Sequence, residues 1–160
     1  MDVITLTLNP CLDRTLWVED FGLPVKREEW QTGGKGVNVS EVLRNMGFRT
    51  RDVVATAGFV GDEIERRLRG RGADCVFVRT PGLSRINVKI KSAQETEING
   101  RGAPVGEEGI AEMLRALDIP ARLLPPLHRS SDVIGGVTEE AARATGLLAG
   151  TPVVLGGGDG

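Results

Sequence analysis

The 160-residue chain has few aromatic side chains: no tyrosine, four phenylalanines and two tryptophans. Base stacking depends on such rings, and the net charge of -2 gives no basic surface for a phosphate backbone. We therefore expect no binding to nucleic acid. No apolar run approaches the roughly 20 residues that span a membrane, and the N-terminus begins on a strand pattern where a signal peptide would carry basic residues. These absences predict a cytoplasmic protein without a membrane segment.

Cysteine and histidine are equally scarce. The two cysteines, Cys11 and Cys75, have neither metal-site spacing nor a partner pattern, so we expect reduced, packed thiols. The single histidine, His128, lies in a proline-rich connection and is expected in a surface loop. The sequence therefore predicts no metal site built from these residues.

The most informative segment is a glycine-rich loop, Gly33–Gly36, that leads directly into a helical pattern. The apolar residues of that pattern recur at helical spacing before a terminal Gly47: Val39, Val42, Leu43 and Met46. Backbone amides and the positive end of a helix dipole attract anions, and Lys35 adds a charge. Because Gly36 rather than Ser or Thr follows Lys35, the loop is not a P-loop, and its spacing does not fit a dinucleotide fingerprint. A tight turn without a ligand is the alternative.

Around this loop the pattern alternates between strands and helices. Three apolar runs are predicted as core strands, with a helix carrying Ile64 and Leu68 after the second: Val3–Leu8, Val53–Ala57 and Cys75–Val78. From Ile86 to Ile90 apolar and polar residues then alternate with a period of two, and Gln94–Ile98 is the predicted hairpin partner. We expect an α/β fold with a parallel sheet and a separate small sheet.

Four motifs in order resemble the 1-phosphofructokinase and tagatose-6-phosphate kinase branch of the ribokinase-like (PfkB) sugar kinases: Thr7–Asp13, Gly33–Asn38, Ser84–Ile90 and Glu95–Gly100. The resemblance covers about residues 1–112. It implies part of a Rossmann-like ribokinase fold with a small β-sheet lid, and a homodimer formed through that lid.

The resemblance also implies substrate-binding residues: Asp13, Gly33, Gly34, Lys35, Asn38 and Arg85. Asp13 would accept hydrogen bonds from sugar hydroxyls, the loop and Asn38 would contact the sugar, and Arg85 would grip an existing phosphate. Lys26 or Arg27 would add a second cationic contact. The alternatives are structural: a turn cap for Asp13, a helix cap for Asn38 and a solvated strand face for Arg85.

The C-terminal part, about residues 115–160, resembles the xylulokinase branch of the FGGY carbohydrate kinases, so we divide the chain into domains 1–112 and 113–160. A strand at Val133–Val137, a helix capped by Thr138 and a buried strand at Pro152–Leu155 predict a βαβ-like segment. Asp159 follows that last strand. It is a candidate catalytic base or, alternatively, a terminal tail residue.

The family implies ATP-dependent phosphoryl transfer, with Mg²⁺, to a phosphorylated ketohexose such as fructose 1-phosphate. After the lid, however, the sequence has no acidic magnesium motif, GAGD-type loop or ATP pocket of that family, so we expect no nucleotide site here. The alternative is an inactive fragment that binds sugar phosphates or dimerises. A natural fusion, an engineered chimera and an assembly artefact all remain open as origins of the mosaic.

Overall fold

The computed structural model describes residues 2–20, 22, 24–123, 126 and 128–156. In chain order its elements are β1 (Val3–Thr7), β2 (Cys11–Trp17), β3 (Arg27–Gly33), α1 (Lys35–Asn45), β4 (Thr50–Thr56), α2 (Gly58–Gly70), β5 (Cys75–Arg79), β6 (Arg85–Lys91), β7 (Glu95–Asn99), α3 (Glu107–Ala116), a short 3₁₀ helix (Ala121–Leu123), β8 (Val133–Gly136), α4 (Glu139–Thr145) and β9 (Pro152–Val154). The chain divides into two compact units, Met1–Ala121 and Arg122–Gly160. The boundary expected after residue 112 stays a prediction.

The first unit is built on a parallel sheet with the order β1-β4-β5, as expected from the alternating pattern. Successive residues of β4 point to opposite faces. On one face Val54 packs with Val37 of α1 and with Ile64 and Leu68 of α2. On the other face of the sheet, Val53 packs in a cluster with Met113 of α3. Helices therefore cover both faces of the sheet, which confirms the predicted α/β class.

Helix α1 is confirmed, but its regularly spaced apolar residues do not form its buried face. Val39, Val42 and Met46 are half or more exposed, whereas Val37 and Ser40 are buried. The cause is a polar network that holds the opposite face to the sheet. The Ser40 and Thr5 hydroxyls are 3.0 Å apart, and Thr5 also donates to the buried Asp52 carboxylate at 2.8 Å.

The second sheet of this unit is the expected lid, with the order β3-β2-β6-β7. β2 pairs antiparallel with β3 and parallel with β6, and the β6–β7 hairpin is confirmed. Leu12, Trp30 and Ile86 join the core cluster beneath α1 and α2. This packing attaches the lid beside the glycine-rich loop.

The second unit has the expected order of strand, helix and strand. Thr138 caps α4 by accepting a hydrogen bond from the Ala141 amide at 3.1 Å, and Gly146 ends it at a φ of 79°. The βαβ-like expectation is wrong in one respect, because β8 and β9 pair antiparallel. Strand β9, expected to be buried, is exposed along its length. Within the described ranges no helix is long and apolar enough to cross a membrane.

Candidate functional site

Asp13 lies within lid strand β2 rather than at a turn. In the register it stands beside Gln31 of β3 and Asn87 of β6. Its position as the third residue of a strand excludes the role of a cap for the Asn9–Pro10 turn. The carboxylate therefore belongs to the face of the lid that also carries Asn87.

Neighbouring side chains fix the Asp13 carboxylate. Asn87 Nδ2 donates to Asp13 Oδ1 at 2.8 Å, and the Cys11 thiol donates to the same oxygen at 3.4 Å. The other oxygen, Oδ2, lies over Gly33, where a Cβ atom would come within 2.6 Å of it. Gly33 is thus required for close approach between the loop and the carboxylate. Neither Cys11 nor Asn87 was predicted as part of the site.

Both cysteines are free thiols, as expected. Burial, with the Asp13 charge as the next cause, raises the pKa of the Cys11 thiol to about 11. Burial beside Asp52 raises the pKa of Cys75 to about 12. At neutral pH both are protonated, so Cys11 can act as a hydrogen-bond donor and neither is a nucleophile.

The glycine-rich loop stands at the start of α1, as predicted. Gly34 precedes the helix with a φ of 131°, a conformation that favours glycine. A Cβ atom there would lie 2.6 Å from the Thr7 side chain. The Thr7 hydroxyl accepts a hydrogen bond from the Val37 amide at 3.1 Å, which fixes the first turn of the helix against β1. Because the helix begins at Lys35, Asn38 is in its second turn and is not its cap.

Arg85 begins β6 and lines a cavity of about 320 Å³ together with Lys35. The remaining lining residues come from the end of β1 and the loop: Leu6, Thr7, Leu8, Asn9 and Gly36. Arg85 Nε is buried without a hydrogen-bond partner among the described residues. An unpaired buried donor is costly, and a bound anion would satisfy it. Two cations on one cavity are suited to a phosphate.

Arg85 and Asn87 are two residues apart on β6 and therefore share one face of the lid with Asp13. Strand geometry separates Arg85 from Asp13 by about 8 Å along the diagonal between the two strands. Lys89 continues the same face and pairs with Glu97 at 3.3 Å. The Glu97 carboxylate raises the pKa of Lys89. The face thus carries the Asp13 carboxylate between two cationic side chains, Arg85 and Lys89.

The remaining candidates are not all brought together. Asn38 is exposed and does not line the described cavity. Lys26 and Arg27 pair instead with Glu19 at 2.7 Å and Glu29 at 3.2 Å. Asp159 lies outside the described residues, so its role stays a prediction. In residues 2–156, apart from the gaps given above, no group of three or more His, Cys, Asp or Glu could hold a metal ion.

Comparison with known proteins finds similar sugar-phosphate kinases. The chain is similar to the 1-phosphofructokinase of Bacillus subtilis, with 37% identity over 116 residues that cover 70% of this chain and 38% of that protein. It is also similar to the D-tagatose-1-phosphate kinase of Bacillus licheniformis, with 35% identity over 78% of this chain and 41% of the relative. The chain thus spans about two fifths of the length of these curated relatives.

A solved Staphylococcus aureus structure that carries a phosphofructokinase name superposes with a TM-score of 0.66 and 30% identity, over 72% of this chain and 39% of that one. Residues 110–160 match a different model, the N-terminal domain of the FGGY family of carbohydrate kinases. Over most of its length the chain therefore resembles the ribokinase-like (PfkB) sugar kinases, in the branch of the 1-phosphofructokinases and tagatose-phosphate kinases, and residues 110–160 resemble the FGGY carbohydrate kinases.

Proposed function

We propose that residues 1–121 form the acceptor site of a sugar-phosphate kinase and bind a phosphorylated ketohexose such as fructose 1-phosphate. The observation that carries this proposal is that Arg85 and Lys35 line one cavity, while the buried Nε of Arg85 has no hydrogen-bond partner among the described residues. The names of the relatives, which include phosphorylated ketohexoses, support the choice of ligand.

In the proposed complex the substrate phosphate lies at Arg85 and Lys35. A planar guanidinium binds two phosphate oxygens at once, and the lysine adds a point charge. Asp13 accepts hydrogen bonds from sugar hydroxyls, as an ionised carboxylate can only accept. Gly33 and Gly34 bring the backbone close to the sugar, while Asn38, one turn along α1, contacts it from the edge.

Kinases of this kind take the phosphoryl group from ATP bound with Mg²⁺, which neutralises charge on the transferred group. Among the described residues no group of three or more His, Cys, Asp or Glu could hold a metal ion. We assign to them acceptor binding and no step that requires the metal. Asp159 remains the proposed catalytic base, outside the described residues.

Isothermal titration calorimetry tests the proposal, with fructose 1-phosphate and tagatose 6-phosphate as separate ligands. We expect binding by the wild type and a loss of more than tenfold in affinity for Arg85→Ala, because a charge-assisted contact contributes about 1.5–3 kcal/mol. Lys91→Ala is the matched control: it removes one positive charge from the other end of β6, where Lys91 forms an exposed pair with Glu95. Equal affinity of Arg85→Ala and wild type would reject the site.

The alternative function is a fragment that binds sugar phosphates without phosphorylating them. The observation that favours it is the coverage of about two fifths of each relative. A coupled assay with fructose 1-phosphate and Mg-ATP separates the two. Formation of a bisphosphate supports the kinase, whereas acceptor binding without product or ATP binding supports the fragment.

We also propose that the chain dimerises through its lid and works in the cytoplasm. Ile86 packs against the core, but Val88 and Ile90 continue the same face of β6 beyond it, and Ile98 beside Val88 is 59% exposed. A second lid would cover this row. Sedimentation analysis should give the mass of two chains, and Ile98→Lys should give one. Equal masses for both proteins would reject the interface.

A further inference from the structure

The side chain of Asn87 makes two hydrogen bonds on the face of the lid that also carries Asp13. Asn87 is 6% exposed and lies in the middle of β6, beside Asp13 of β2 and Asn99 of β7. Its Nδ2 donates to Asp13 Oδ1 at 2.8 Å, and its Oδ1 accepts from the Gly100 amide at 3.1 Å. One side chain therefore joins β6 to β2 and to the residue that follows β7.

The orientation of this amide is determined by its partners. The Gly100 N–H can only donate, so the atom of Asn87 that faces it must be the carbonyl oxygen. The NH₂ group consequently faces the Asp13 carboxylate, which as an anion can only accept. The two bonds are complementary, and neither is retained if the amide rotates by half a turn.

Among the described residues, two hydrogen bonds reach the Asp13 carboxylate, from Asn87 and Cys11, and both go to Oδ1. Oδ2 lies instead against the backbone of Gly33, at the side of the glycine-rich loop. Oδ1 thus holds the carboxylate in place, whereas Oδ2 accepts no hydrogen bond from the described residues. Without the hydrogen bond from Asn87, the Asp13 carboxylate could rotate about its side-chain torsions, and its two oxygens would no longer have fixed positions.

We infer that Asn87 is a positioning residue for the acceptor site: it holds Asp13 so that Oδ2 faces the sugar, and it ties that carboxylate to the β6–β7 hairpin. This inference rests on the proposed function for its ligand. It does not require Asn87 to touch the sugar phosphate, because its two polar atoms already have partners within the lid.

A double-mutant cycle on fructose 1-phosphate binding tests the inference. In an otherwise wild-type chain, Asn87→Ala should weaken binding about tenfold, because it removes a hydrogen bond to a charged group. In an Asp13→Ala background the same change should have no effect. Asn99→Ala, on the exposed neighbour in the register, is the control and should bind as the wild type does. Equal losses from Asn87→Ala in both backgrounds would overturn the inference.

Asn87→Asp separates the two hydrogen bonds. It keeps the size and the acceptor for Gly100 but replaces the donor with a carboxylate that faces Asp13. We expect it to bind fructose 1-phosphate at least as weakly as Asn87→Ala while melting as a folded protein. Wild-type affinity would mean that the donor has no positioning role.

A readout without ligand distinguishes this inference from the proposed function. In the NMR spectrum of the ¹⁵N-labelled protein, one side-chain amide proton of Asn87 should be shifted by its bond to Asp13. Asp13→Ala should remove that shift and leave the Gly100 amide unchanged. If the wild type bound no sugar phosphate but this shift were present, the proposed function would fail and the positioning contact would stand. If the chemical shift of the Asn87 side-chain amide is unchanged by Asp13→Ala, the inference is overturned.

Discussion

Gly33→Ala tests how closely the glycine-rich loop and the lid are fitted. The new Cβ atom would lie 2.6 Å from Asp13 Oδ2 and 2.7 Å from Cys11 Sγ, and ordinary contact begins at 3.4 Å. The carboxylate must therefore move by 3.4 − 2.6 = 0.8 Å. A shift of that size can stretch the 2.8 Å bond from Asn87 beyond hydrogen-bond range.

We expect Gly33→Ala to lower the free energy of unfolding by about 1–3 kcal/mol, the usual cost of overpacking. That loss corresponds to a decrease in Tm of roughly 2–4 °C for each kcal/mol. Affinity for fructose 1-phosphate should fall by about tenfold or more, because 1.4 kcal/mol at the site already gives this factor. Thermal melts and calorimetric titration measure the two effects on one sample.

Gly70→Ala is the matched control for this substitution. Gly70 is the last residue of α2, and a Cβ atom there would meet nothing within 4 Å. We expect unchanged ligand affinity and a stability equal to that of the wild type or higher by up to about 1 kcal/mol. Equal Tm values and equal affinities for fructose 1-phosphate in Gly33→Ala and Gly70→Ala would show that the close contact at Gly33 does not matter.

Three further predictions concern the fold. Ile64→Ala, at a fully buried core position, should cost about 2–5 kcal/mol in chemical denaturation, whereas Val39→Ala, at a half-exposed position, should cost less than about 0.5 kcal/mol. A chain that ends at Ala121 should melt within about 2 °C of the whole chain, because no described residue of the second unit is buried. In the folded protein the pKa of Cys11 is raised to about 11 and that of Cys75 to about 12, above the ordinary thiol value. The two protonated thiols should therefore contribute to stability below pH 9, and this contribution should be lost as the pH rises toward 12. Replacing both cysteines with alanine should make the free energy of unfolding decline less steeply over this pH range.

Strands β1, β4, β5, β6 and β7 could be predicted from the sequence because their signals are local, whereas the lid strands β2 and β3 were not predicted. The apolar run at Val53–Ala57 and the alternation from Ile86 to Ile90 each fix an element by its own period. The glycine loop was placed at a helix start by the same reasoning. Family motifs then supplied Asp13 and Arg85, which periodicity alone would leave as ordinary polar residues.

What could not be predicted depends on contacts between distant segments. The buried face of α1 is determined by Thr5 and Asp52. Thr5 bonds to Ser40, 35 residues away in the sequence, and Asp52 accepts a hydrogen bond from Arg44, 8 residues away. A hydrophobic pattern cannot reveal that polar residues face the sheet. Likewise, Asn87 reaches Asp13 across 74 residues, through the parallel pairing of β2 with β6. Such pairing is set by the tertiary fold and has no local sequence signal.

We propose that a phosphorylated ketohexose binds between the glycine-rich loop and the lid. A titration of the ¹⁵N-labelled chain with fructose 1-phosphate, followed by backbone amide shifts, tests this binding. We expect shifts concentrated at Gly33–Asn38 and Arg85–Asn87, with inorganic phosphate affecting chiefly the residues around Lys35 and Arg85. Saturable shifts confined to other parts of the chain, or none at millimolar ligand, would contradict it.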